Sequence, residues 1–178
     1  IPHFLRKNSA PKDEEYSWSE TDTSVCLKNS SNPVWQFNFN DRYGRPYFHP
    51  LAAGSSILTC VSPVDHPWHL GLWFSWKFIN EVNYWEYTDN KIPRTAGYPS
   101  EGLTEITNIE IAKRSDFSCG ISMDLKYRPV NGVPVLSENR YFNISPPGKD
   151  GSYAIDLLSV FIPSDDCVSL DRTPVEGE

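Results

Sequence analysis

Apolar and polar side chains alternate at every second position over long stretches of this chain, and no window carries a capped stripe of helical period. The clearest run is 117–127, where Phe117, Cys119, Ile121, Met123, Leu125 and Tyr127 alternate with Ser118, Gly120, Ser122, Asp124 and Lys126. Asn131 and Gly132 form a tight-turn signal. Further strands are predicted at 135–144 and 152–162, parted by Pro146, Pro147 and Gly148. Upstream, Trp35, Phe37 and Phe39 alternate with Gln36 and Asn38 and predict a strand over 34–39, with a turn from Asn40 to Gly44. Shorter strands are predicted at 45–49 and 55–61, and another at 103–113. A strand over 70–79 would carry Leu70, Leu72, Phe74, Trp76 and Phe78 on one face, as core. Residues 1–23 read as an extended arm with at most one short strand. Residues 24–178 read as a single all-β domain, an antiparallel β-sandwich that buries two apolar faces against each other. Residues 171–178 look like the opening of a loop, and a further chain segment completing the sandwich is expected.

Composition narrows the partners. The chain has 178 residues, enough for one self-supporting core with about 70% of the unfolded surface buried. Sixteen basic against 23 acidic residues leave a net charge of −7. No basic run is available to hold nucleic acid or an anionic membrane surface. No apolar stretch approaches the roughly 20 residues of a membrane-spanning helix. Cys26, Cys60, Cys119 and Cys167 are far apart and form no CxxC pair, so they are expected as free thiols, with two disulfides as the alternative.

Candidate chemistry concentrates in one block. Three of the four histidines, His49, His66 and His69, fall within 49–69, and Asp65 stands beside His66. Pro63 and Pro67 bar a regular helix, so His66 and His69 are expected in a loop or at the start of a strand. Imidazole titrates near neutrality and can both give and take protons. Asp65 is expected to serve His49 or His69, because neighbours in extended chain point apart. A divalent metal on these groups is an alternative, although the spacing matches no metal motif. Four of the six tryptophans, Trp68, Trp73, Trp76 and Trp85, lie in 68–85. Aromatic faces stack on sugar rings, and polar neighbours bond hydroxyls. The candidate binding residues are therefore Arg42, Arg45, Tyr47, Trp68, Trp73, Lys77, Asn80 and Trp85. Glu86 is a second proton-transfer candidate. The two arginines could clamp a carboxylate such as a uronic acid, or simply flank a solvated turn. No GxSxG, Walker A, GxGxxG or HExxH sequence occurs.

Gly44 through Leu51, Asp65 through Phe74 and Asn80 through Trp85 together resemble a bacterial family labelled PmoA-like, as does the later Leu170-Asp171-Arg172-Thr173-Pro174. In that family histidine often stands where this chain has Trp68, arginine where it has Leu70, and glycine where it has Glu81. The resemblance implies a large β-sandwich of the galactose-mutarotase-like supersandwich kind. It also implies a periplasmic or secreted location and an association with polysaccharide utilisation. The methane chemistry in the family label belongs to a helical membrane protein, and this chain has no spanning helix. The function expected is that of a carbohydrate-active protein, an enzyme using His49, Asp65, His66, His69 and Glu86 for acid–base chemistry on a sugar: epimerisation, elimination or hydrolysis. A noncatalytic glycan-binding module and a metal-dependent oxidoreductase are the alternatives. No cofactor is required by the first two.

Overall fold

The computed structural model describes residues 16–39, 45–86 and 100–172. The chain is all-β, and its antiparallel sheets stack as a sandwich. The first sheet runs β1 (Tyr16–Thr21), β2 (Ser24–Asn29), β3 (Asn32–Asn38), β4 (Tyr47–Ala53) and β5 (Ser56–Ile57), with β6 (Leu72–Trp73) also pairing with β4. A small sheet orders β13 (Leu170–Asp171), β7 (Phe78–Ile79) and β8 (Val82–Asn83). The third contains β9 (Gly102–Lys113), β10 (Cys119–Pro129), β11 (Leu136–Ile144) and β12 (Ile155–Pro163), in the order β12-β11-β10-β9.

The period-2 pattern of 117–127 does what it predicts. Cys119, Ile121, Met123, Leu125 and Tyr127 are all buried, and the residues between them face outward. Register follows from this, because a one-residue slip would turn every one of those side chains to solvent. The two large sheets meet through aromatic rings. Phe142 of β11 lies 5.6 Å from Phe37 and 5.1 Å from Phe48 of the first sheet, the latter edge-on at 89°. Tyr153 crosses between the layers, its hydroxyl 3.1 Å from the carbonyls of Val34 and Ala52.

Two expectations change. Residues 16–21, expected within an arm, form β1 and pair along the whole of β2, with Tyr16 in the core. Residues 70–79 are not one strand. They break into β6 and β7, with Ser75 buried and Leu72 46% exposed, so a single apolar face does not form. Gly71 sits at φ 85, and a Cβ there would stand 2.5 Å from the Phe48 carbonyl oxygen. This conformation turns the chain before it can run on as a regular strand. The return after Ile79 is a two-residue hairpin. Asn80 and Glu81 both take positive φ, 49° and 66°, as a turn matched to strand twist requires.

Candidate functional site

The histidines do not share a site: the His49 and His66 rings have different partners, and His69 is placed by its backbone bonds. His49 lies on β4, with Nδ1 2.9 Å from the Thr59 hydroxyl, which also accepts the Leu51 amide. Burial pushes its pKa below the usual histidine value. His66 sits on the loop 62–69, which closes through Ser62 N–H to the His69 carbonyl and through the Val61–Leu70 bridge. Within it the His66 amide donates to the Pro63 carbonyl and the His69 amide to the His66 carbonyl. This turn, not extended chain, swings Asp65 and His66 together, with Nδ1 to Oδ2 at 3.0 Å. Asp65 therefore serves its own neighbour rather than His49 or His69. The hydrogen bond from His66 holds the Asp65 carboxyl below its ordinary value. Both side chains are largely in solvent, and the His66 ring packs edge-on to Trp68 at 5.4 Å. Among the described residues, no three His, Cys, Asp or Glu side chains converge as metal ligands would.

The aromatic and charged residues do converge. Pairing of β4 with β6 sets Trp73 across from Tyr47, two residues past Arg45. The β7–β8 hairpin reverses the chain, and the Tyr84 amide bonds back to the Lys77 carbonyl at 2.9 Å. Trp85 is thereby laid on Trp73, with ring centroids 4.4 Å apart at 40°. The Arg45 guanidinium is 4.9 Å from the Trp73 ring centroid. Trp73 is thus engaged by both a cation and an indole, contacts typical of aromatic clusters. Beside the rings, Lys77 Nζ donates to Glu86 Oε1 at 2.7 Å, and Asn83 Nδ2 donates to Glu86 Oε2 at 3.2 Å. The Asn83 side-chain oxygen, Oδ1, accepts the backbone amides of Trp85 and Glu86, at 2.8 and 3.1 Å, and so fixes the turn that presents both. The Lys77 hydrogen bond, joined by the one from Asn83, outweighs partial burial and holds Glu86 below the usual glutamate value. A carboxylate tuned this way stays ionised near neutrality. It suits hydrogen-bond acceptance better than delivery of a proton.

Arg45, Tyr47, Trp73, Lys77, Trp85 and Glu86 thus belong to one region, and Asn83, which is not among the candidates, joins them. Trp68 stands with His66 on the separate loop. Asn80 is a turn residue, its side-chain oxygen accepting the Ser169 amide at 2.9 Å. Arg42 lies outside the described residues.

Beneath this region lies a second polar group that the pattern argument missed. Glu138 and Arg140 stand on the inward face of β11, with 1% and 0% of each exposed. Arg140 donates to both Glu138 oxygens, at 2.7 and 2.8 Å, and to the Tyr127 hydroxyl at 3.0 Å. Tyr127 and Ser159 donate their hydroxyls to Glu138. Burial alone would lower the Arg140 pKa, but the bonds to Glu138 and the nearby Tyr127 outweigh it and raise the value. The same guanidinium lies 5.3 Å from the Phe74 ring centroid and 3.5 Å from the Phe74 carbonyl. It thereby anchors the segment between β6 and β7, which follows Trp73 and carries Lys77. The available signal was a pair of opposite charges two residues apart on the same face as Leu136, Phe142 and Ile144.

All four cysteines are free; Cys26 and Cys119 are buried, Cys60 and Cys167 exposed. Burial raises both inner thiols, Cys119 to about 11. No helix long and apolar enough to cross a membrane occurs among the described residues.

Fold and site together define an all-β sandwich domain with a tryptophan pair and a hydrogen-bonded charged set at one place on its surface. A family model matches residues 24–177, and the chain belongs to that family, DUF6807, described as a family of unknown function. No curated protein and no solved structure matches.

Proposed function

We propose that this domain binds carbohydrate at the Trp73–Trp85 region, as a recognition surface rather than as an acid–base catalyst. The observation that carries the reading is the juxtaposition of the stacked indoles with Lys77, Asn83 and Glu86. An indole offers an apolar face to the C–H side of a sugar ring. The flanking ammonium, amide and carboxylate offer both donors and acceptors to hydroxyls, the usual mix of apolar wall and few placed polar groups in a small-molecule site. Acid–base chemistry finds less support. Glu86 is kept ionised by its partners, His49 is tied to Thr59, and His66 is paired with Asp65 in open solvent.

The test is titration of the full chain with neutral and acidic oligosaccharides, followed by tryptophan indole resonances. At least one sugar should bind, and Trp85→Ala should weaken it at least about tenfold, as loss of a stacking face commonly does. His66→Ala should leave affinity within about twofold. Failure of every sugar to bind, or binding indifferent to Trp85→Ala, would overturn the proposal. Turnover of a bound sugar that is lost on His66→Ala would return the enzyme reading.

A further inference from the structure

The outermost strand of the third sheet is built like an interior one. β12 pairs only with β11 among the described residues. Ile155, Leu157, Ser159 and Phe161 turn to the core side, opposite Ile144, Phe142, Arg140 and Glu138. Leu158, Val160 and Ile162 turn the other way, opposite Tyr141, Asn139 and Ser137. Both faces are apolar, and the outward one is open: Leu158 is 55% exposed, Val160 45% and Ile162 50%, with Tyr141 at 44%, while on the core side Leu157 is 45% exposed and Ile155 and Phe161 pack against the core. From Leu157 to Pro163 there is no charge. Natural edge strands carry lysine, inward charges or bulges that discourage further pairing. None interrupts the β11–β12 register. Strands apolar on both faces belong in sheet interiors.

From this we infer that β12 takes a further β-strand along its free edge. The occupant is an extended polypeptide segment, uncharged over six or seven residues and apolar at alternate positions. Backbone hydrogen bonds would supply affinity, and the apolar row would select the side chains. The absence of charge on Leu157 through Pro163 favours such a segment, since a charged one would lose hydration without gaining an ion pair. A second copy of the chain is the weaker occupant. The five exposed side chains amount to roughly 400–500 Å² per copy, about half the ~800 Å² per partner of a standard interface. A single added strand needs no such area, because it is held along its length by the ladder. The inference stands on β12 alone and is independent of sugar binding at Trp73 and Trp85.

Hydrogen–deuterium exchange on the full chain tests it. The probe is a capped synthetic peptide about as long as β12, of alternating valine and threonine. Every second amide is methylated, so only one edge can pair and self-association stops at a dimer. The control carries a central proline. The probe, and not the control, should slow alternate amides of 156–162 at least tenfold. Val160→Lys, on the exposed face, should melt as the parent does and lose most of that slowing. No slowing by the probe would overturn the inference. So would slow exchange without the probe that grows with protein concentration, since a second copy then covers the edge. Slow exchange at the lowest concentration would also overturn it, since the edge is then closed within the chain itself.

Discussion

Replacing Glu138 by glutamine tests whether the buried charge network holds the two layers together. The substitution keeps shape and removes one negative charge from a site with 1% exposure. Glu138 accepts two bonds from Arg140, one from Tyr127 and one from Ser159, and all of these groups act as donors toward it. A glutamine can keep only its carbonyl side, and its NH₂ would meet donors. Arg140, fully buried, would then carry an unbalanced cation. Removing one partner of a buried pair costs about 3–5 kcal/mol, against a total stability of about 5–15 for a domain. With a urea dependence near 2 kcal/mol per molar, a 4 kcal/mol loss moves the midpoint down by about 2 M. Arg140→Met should cost about 3 kcal/mol, at the lower end, because Tyr127 and Ser159 still donate to the carboxylate. The double variant Glu138→Leu with Arg140→Met should cost only about 1–3 kcal/mol, mostly for the stranded Tyr127 hydroxyl. Equilibrium urea unfolding followed by tryptophan fluorescence reads all three. Additive losses in the double variant, or less than 1 kcal/mol for Glu138→Gln, would refute the account of the network as a mutually dependent pair.

Three further outcomes follow from the same geometry. Gly102→Ala would place a Cβ 2.4 Å from the ring of Tyr84, which is 1% exposed, so thermal melting should show a loss of about 1–3 kcal/mol from overpacking. A thiol reagent added to the native chain should modify Cys60 and Cys167 promptly and reach Cys26 and Cys119 only on unfolding, because the inner pair is buried with raised pKa values. Modification of Cys26 or Cys119 in the native chain as fast as that of Cys60 and Cys167 would contradict that. His49 has a folded pKa below the unfolded 6.5, so the unfolded state binds its proton first. Its contribution is therefore full above pH 6.5 and is lost as pH falls from there toward the folded value. His49→Gln should flatten that part of the stability–pH curve, and an unchanged slope would disprove the assignment.

The sandwich was legible because its signal is local. Alternation over 117–127 and 135–144 specifies which side of each strand is buried without reference to anything distant, and β10 and β11 form as that pattern predicts. The clustering of tryptophans in 68–85 likewise marked the region where Trp73 and Trp85 stack. The pattern failed at 70–79, where Gly71 takes a positive φ and residues 74–77, between β6 and β7, pair with no strand among the described residues, so the strand that alternation alone would continue is interrupted.

By itself the sequence determined the fold class, the buried faces of β10 and β11 and the acidic charge balance of the chain, because each depends on residue type and period. Tertiary structure alone decided which charges are solvated and which are locked in the core. Glu138 and Arg140 look like surface residues until Tyr127, Ser159 and Phe74 close over them from β10, β12 and the segment after β6. It also decided that Asp65 meets His66, and that Glu86 meets Lys77, since both pairings depend on turns that fold chain neighbours back on one another. Hydrogen bonds and ion pairs act over about 3 Å, and only the folded chain brings distant residues that close.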